Sequence, residues 1–145
     1  MIQHKTTVIV IEKDGKFLLI KRGNRPMRGF WAPPGGHVDG RESVWQCAQR
    51  EAREEVGEVE VSKKPLFSFV HDVRLGHRHH AFVFRGKPAG RLRPASDAAA
   101  MGWFTLRQIA SMNVTHYTNI IFNRLFPKVS YGDFSHHKHE KLHGR

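Results

Sequence analysis

The apolar positions of this chain fall into short blocks whose period changes along the sequence. Residues 6–12 (TTVIVIE) and 15–21 (GKFLLIK) are rich in β-branched and large apolar residues, which predicts two strands. The Lys13-Asp14-Gly15 break between them predicts a hairpin turn. The period then shifts. Trp45, Ala48, Ala52 and Val56 recur at three- and four-residue spacing, predicting a helix over 43–56 with one core-facing stripe. Ser43 with Gln46 forms its capping box, and Gly57 closes its carboxyl end. Strand character returns at 59–62, 65–71 and 80–85, and again in a short strand over 101–104 that leads into a helix capped by Thr105. A last helix near 116–126 carries Ile120, Ile121, Leu125 and Phe126 and stops before Pro127. Residues 22–40, with five glycines and three prolines, and Lys87–Asp97, with Pro88, Gly90 and Pro94, predict loops. Strands interspersed with helices predict one mixed α/β domain over residues 1–127, followed by a polar, basic tail over 128–145.

Composition narrows the class. The chain has 145 residues, 39% of them apolar and 10% aromatic, enough for a packed core and against whole-chain disorder. The longest apolar runs, Val8-Ile9-Val10-Ile11 and Phe17-Leu18-Leu19-Ile20, fall far short of the ~20 residues a membrane helix needs, so no membrane partner is expected. The amino terminus lacks a basic-then-apolar leader, and the single Cys47 forms no internal disulfide. Both fit a cytoplasmic protein.

Charge is distributed unevenly. Residues 1–38 carry seven Lys/Arg against two acids, residues 39–60 three against seven, and residues 61–145 fourteen against four. A protein with a net charge of +11 therefore concentrates its acids in one short stretch. Glu51, Glu54 and Glu55 lie at offsets of three and four on the predicted helix, so the three carboxylates share a face. Like charges at this spacing repel by a few tenths of a kcal/mol per pair, and Arg50, four residues before Glu54, offsets part of that. A hard divalent cation bridging the carboxylates makes the cluster favourable, and oxygen ligands suit Mg²⁺ or Mn²⁺. The basic remainder suits an anionic substrate, a phosphate ester or a nucleic acid.

The segment from Gly36 to Glu58 resembles the Nudix box of the Nudix hydrolase superfamily: Gly36, then Glu42, then Arg50-Glu51, Glu54-Glu55 and Gly57 at the signature's spacing. Seven fixed positions at ~6% average residue usage give a chance match of roughly 10⁻⁸ to 10⁻⁹ per window. Two places depart from the signature. Ala52 fills an apolar position with a small side chain, and Glu58 stands where an apolar residue is usual. The resemblance extends more weakly over residues 5–126, through the Trp31-Ala32-Pro33-Pro34-Gly35-Gly36 approach and the Gly102-Trp103-Phe104 strand.

The resemblance implies an α/β/α sandwich with a mixed central sheet that hydrolyses a diphosphate linkage in a nucleoside diphosphate derivative. Glu51, Glu54 and Glu55 are then the metal-binding acids, with the Gly36 carbonyl a further ligand, and Glu42 and Arg50 orient the loop and helix by ion pairing. The general base is Glu54 or an acid of a later loop, of which Asp97 is the best placed. Nucleotide sugars such as ADP-ribose come first as substrates and nucleoside triphosphates next. RNA 5′ ends, or ligand binding without turnover, are the alternatives, and a homodimer is in keeping with such domains. Lys21, Arg22, Arg25 and Arg28 are candidates for substrate phosphate, and Trp31 and Phe30 for stacking on a base. His71, His77, His79 and His80 match no standard zinc spacing, His116 reads as a helix-start cap or surface residue, and His136, His137, His139 and His143 read as a solvated tail. Cys47, mid-helix and off the acidic face, is not a nucleophile, and neither a Walker nor a dinucleotide-binding glycine motif occurs.

Overall fold

A computed structural model describes residues 2–127 and 129, with the backbone alone for Ile2. The tail histidines His136, His137, His139 and His143 lie outside the described residues. Strand β1 (Ile2–Lys13) turns through Asp14 and Gly15, both at positive φ (53° and 76°), into β2 (Lys16–Arg22). The two strands pair only next to this turn, at Glu12↔Phe17 and Lys13↔Lys16, and then splay apart. β1 continues in parallel with β7 (His77–Leu92), from Ile2↔His77 to Ile11↔Gly86. β7 also pairs antiparallel with β5 (Gly57–Val61) and β6 (Phe67–Arg74). β2 pairs antiparallel with β3 (Trp31–Ala32) and β8 (Ala98–Phe104), and β4 (Gly35–His37) pairs antiparallel with β1.

Strict alternation in the two first strands separates two cores. Val8, Val10, Phe17 and Leu19 face α2 (Leu106–Ser111) and α3 (His116–Leu125), where Ile109, Ile121 and Phe122 complete a cluster. Ile9, Ile11, Leu18 and Ile20 face the other way, onto Ala48, Ala52 and Val56 of α1 (Val44–Glu55 with its C-cap). Both faces of the sheet are thus covered by helices, which is why these strands read as continuous apolar runs. Ala48 and Ala52 are fully buried and let α1 lie close to the sheet, so a leucine at either site would overpack and cost about 1–3 kcal/mol.

The helix caps follow the sequence reading. Ser43 and Gln46 exchange their capping-box hydrogen bonds, as do Thr105 and Gln108. Gly57 takes φ 111°, and a Cβ there would meet the Arg91 carbonyl at 2.6 Å. Three expectations need correcting. The glycine-rich 22–40 segment contains two short strands, β3 and β4, held by the ladders of β2 and β1. β7 runs on to Leu92 through part of the expected 87–97 loop, because β5 supplies a ladder at Val59↔Pro88 and Gly57↔Leu92. Strand β5 begins at Gly57 itself, with an irregularity before Val59 that absorbs the exposed Glu58.

Candidate active site

Arg50 organises the acidic face of α1. Its Nε and Nη2 donate to the two carboxylate oxygens of Glu42 at 2.6 and 2.8 Å, a bidentate pair that fixes the loop before the helix. Its Nη1 donates to Glu51 at 2.8 Å and Glu54 at 2.7 Å, and Nη2 also reaches the His37 carbonyl at 3.2 Å. Hydrogen bonds from Arg50 hold the Glu42 carboxyl down at about 2, and the same bonds push the guanidinium further up. One arginine therefore screens three carboxylates and ties β4 to α1.

Glu55 is held differently. Pairing of β4 with β1 at Thr7↔Gly36 and Val8↔Gly35 carries the glycine backbone over the last turn of α1. There the Gly35 N–H donates to Glu55 Oε1 at 2.7 Å. Burial pushes the Glu55 carboxyl up to about 8; the Gly35 hydrogen bond opposes this, the charges of Glu51 and Asp97 add to it, and Arg22 opposes it. Burial likewise raises Glu51, against its hydrogen bond from Arg50. A Cβ on Gly36 would collide with the Glu51 carboxylate, so only glycine allows the strand to pass this close. The Gly36 carbonyl lies 3.9 Å from the Cys47 sulfur, and Cys47 itself is buried against Thr7 Oγ1 at 3.4 Å.

Two recesses open beside this face. A small one, about 60 Å³, lies between Glu55, Asp97 and Arg22. A larger one, about 290 Å³, runs from Gly35 and Gly36 past Arg22 to His37, His71, His79, His116 and Tyr117. His71 Nδ1 stands 3.1 Å from His116 Nε2, and the His37 and His79 ring centres are 4.9 Å apart. Burial, then the neighbouring His4, lowers the His37 pKa. Burial raises that of Tyr117 while Arg22 opposes it. The larger recess is thus lined by imidazoles and one arginine, with no carboxylate among its lining side chains.

The NUDIX domain family matches residues 1–123. The chain belongs to the NUDIX family. It is 34% identical over 109 residues to a protein of Methanocaldococcus jannaschii named ADP-ribose pyrophosphatase, a match covering 74% of this chain and 64% of that one. It is also 34% identical over 105 residues to the NAD-capped RNA hydrolase NudC of Pseudomonas aeruginosa, covering 69% of this chain and 36% of that one. The matched region therefore spans less than two thirds of either relative's length. Among solved structures, the MutT NUDIX hydrolase of Burkholderia pseudomallei superposes with a TM-score of 0.77 at 31% identity, covering 86% of this chain and 99% of that one.

Within this NUDIX fold the structure brings together Gly36, Arg50, Glu51, Glu54 and Glu55, with Arg22 and Asp97 facing Glu55 across the small recess. Arg25 and Arg28 are exposed in the loop before β3 and line neither recess. Trp31 meets Phe104 edge-to-face at 5.0 Å, and its backbone bonds Asn113 and Thr115, so it fastens β3 to the segment before α3. His116 is a correction: it is 4% exposed, in contact with His71, and faces the larger recess. Sequence reasoning missed the lining His37 and Tyr117, and weighed His71 and His79 only as zinc ligands. The available signal was the β6–β7 pairing, which sets His71 opposite His79, with His4 opposite His79 on the other side.

NUDIX hydrolases generally use divalent metal ions, and the donors present fit one. Glu51 and Glu55 are partly buried carboxylates pressed against a glycine backbone, and both are pushed towards protonation without a compensating cation. Among the described residues no three His, Cys, Asp or Glu side chains already stand as a ligating cluster, and Arg50 is paired with Glu51 and Glu54. No helix is long and apolar enough to cross a membrane among the described residues.

Proposed function

We propose that this chain is a metal-dependent diphosphohydrolase that cleaves the diphosphate linkage of a nucleoside diphosphate derivative, with a nucleotide sugar such as ADP-ribose as the leading substrate and Mg²⁺ or Mn²⁺ as the ion. The observation that carries the reading is the Glu55 carboxylate, held by the Gly35 N–H beside Glu51 at the junction of the two recesses. The name of the archaeal relative supports the choice of substrate.

In this reading Glu51, Glu54, Glu55 and the Gly36 carbonyl hold the cation, which supplies neutralisation of phosphate oxygens and a more acidic attacking water. Arg50 keeps the carboxylates aligned before the cation binds and is a positioning residue. Arg22, shared by both recesses, faces the substrate diphosphate. Asp97, opposite Glu55, accepts the proton of the water that attacks phosphorus as the bridging P–O bond breaks. From ADP-ribose the products are AMP and ribose 5-phosphate. The group beyond the diphosphate occupies the imidazole-lined recess, whose volume of about 290 Å³ accommodates a ring system.

The test is product release from a panel of ADP-ribose, other nucleotide sugars, NADH, diadenosine polyphosphates, nucleoside triphosphates and triphosphorylated RNA, each with Mg²⁺, Mn²⁺ or chelator. Metal-dependent AMP release with ADP-ribose leading supports the reading. Turnover that survives the chelator, or tight binding without any turnover, overturns it.

A further inference from the structure

A third and larger recess, about 620 Å³, opens on the outer flank of α1 and takes no part in the reading above. Its charged lining is Arg53, Arg91 and Arg93 with Glu54 and Glu58. The local chain explains the arrangement. The Arg93 N–H donates to the Val56 carbonyl at 2.8 Å and the Ala95 N–H to the Glu55 carbonyl at 3.0 Å, so the end of β7 is sewn to the end of α1. Leu92, the last residue of β7, packs against the core, and Arg91 and Arg93 on either side of it are exposed and line the recess.

Both acids already have partners. Glu54 accepts from Arg50 at 2.7 Å, and Glu58 accepts from the Arg91 backbone N–H at 2.8 Å. The three guanidinium groups form no ion pair among the described residues, whereas Arg50 and Arg78 do. Three uncommitted arginines in one recess are a fork-shaped donor set suited to phosphate oxygens. Glu54 borders this recess and also belongs to the acidic face, so the recess adjoins the face at which the diphosphate lies.

We propose that the Arg53–Arg91–Arg93 recess is a second phosphate-binding site, taking a phosphate group that the substrate carries beyond the diphosphate to be cleaved. The inference rests on the diphosphohydrolase reading for the position of the substrate. The phosphate is either a monoester on a small nucleotide or the first phosphodiester of an RNA chain, and the assay separates the two.

The test compares the wild-type chain with R91Q/R93Q, and separately with R53Q on the helix, after thermal unfolding shows the variants folded. Three substrates are used with Mg²⁺: ADP-ribose, ADP-ribose bearing an added phosphomonoester, and an NAD-capped RNA pentanucleotide. ADP-ribose turnover should stay within about twofold. For whichever phosphate-bearing substrate uses the recess, kcat/KM should fall about tenfold per arginine removed, the worth of one charge-assisted hydrogen bond. A loss confined to the phosphomonoester assigns a small nucleotide, and one confined to the capped pentanucleotide assigns RNA. Equal losses on all three substrates, or none on any, overturn the proposal. Binding of the same phosphate-bearing ligands to the chelator-treated protein supplies a readout independent of catalysis. If the wild-type chain fails to hydrolyse ADP-ribose yet binds these ligands through the arginines, the activity reading falls and the phosphate site stands. If it hydrolyses ADP-ribose but wild type and variants bind the ligands equally, the phosphate site falls alone.

Discussion

Glu55→Gln should make the metal-free protein more stable at alkaline pH while removing its response to metal. In the unfolded chain a glutamate titrates near 4.5, and in the folded chain burial holds Glu55 protonated up to about 8. Because the folded-state value is raised, the folded protein binds the extra proton between these limits. Each pH unit in that interval therefore takes ~1.4 kcal/mol from the wild-type folding free energy. Over the whole interval the upper bound is ~5 kcal/mol, and the partial exposure of the side chain reduces the expected loss to about 2–4 kcal/mol. Glutamine keeps an oxygen to accept the Gly35 N–H, now at 2.7 Å from Glu55, but carries no charge to desolvate. The assay is urea or thermal unfolding of both proteins in chelator at pH 4, 6 and 8.5. They should coincide at pH 4 and separate as pH rises, with the variant higher by about 6–12 °C in Tm at pH 8.5. Saturating Mg²⁺ should then raise the wild-type Tm and leave the variant unmoved. Parallel curves across pH, or equal stabilisation of both by Mg²⁺, would refute the reasoning.

Other consequences follow from the same geometry. Gly36→Ala places a methyl group into the Glu51 carboxylate and should weaken Mg²⁺ binding roughly 10–100-fold, read by calorimetry on the folded variant. Arg50→Ala removes the donor shared by Glu42, Glu51 and Glu54; a similar loss in metal affinity should accompany a lower Tm at pH 7. Glu42→Gln should destabilise the protein at neutral pH, and, because the folded Glu42 titrates at about 2, the difference should fade as pH falls from 4.5 towards 2 in acid unfolding. Asp97→Asn should lower kcat about 10²–10⁴-fold, whereas unchanged kcat moves the base role to Glu54.

The parts of the fold that were legible in sequence are those decided by local chemistry. Asp14-Gly15 supplies the two positive-φ residues of the hairpin turn, and Ser43 and Thr105 cap their helices through residues three positions on. The acidic face was legible because its spacing is helical and its glycine partner is a signature position. β3 and β4 are two and three residues long, too short to carry a period of their own. β7 runs past Pro88 and Gly90 because its ladder with β1 ends at Gly86. Beyond that point β7 is an edge strand on that side, where a missing N–H does no harm. The imidazole-lined recess draws His37, His71, His79 and His116 from four different elements, and only strand register brings them together. Trp31 carries a signal that sequence leaves ambiguous: a tryptophan beside a glycine loop is as well suited to bracing two strands as to stacking on a base, and here its ring is against Phe104.

The central claim is that the Glu51–Glu55 face at Gly35–Gly36 binds the ion on which hydrolysis depends. The most direct measurement is the anomalous scattering of Mn²⁺ in crystals grown with the ion and a non-hydrolysable ADP-ribose analogue. The account predicts a peak within direct ligation distance of Glu55 and Glu51 oxygens, with the analogue's diphosphate against it. A peak among His37, His71 and His79 instead, or none at the carboxylates in crystals that turn over ADP-ribose, would contradict it.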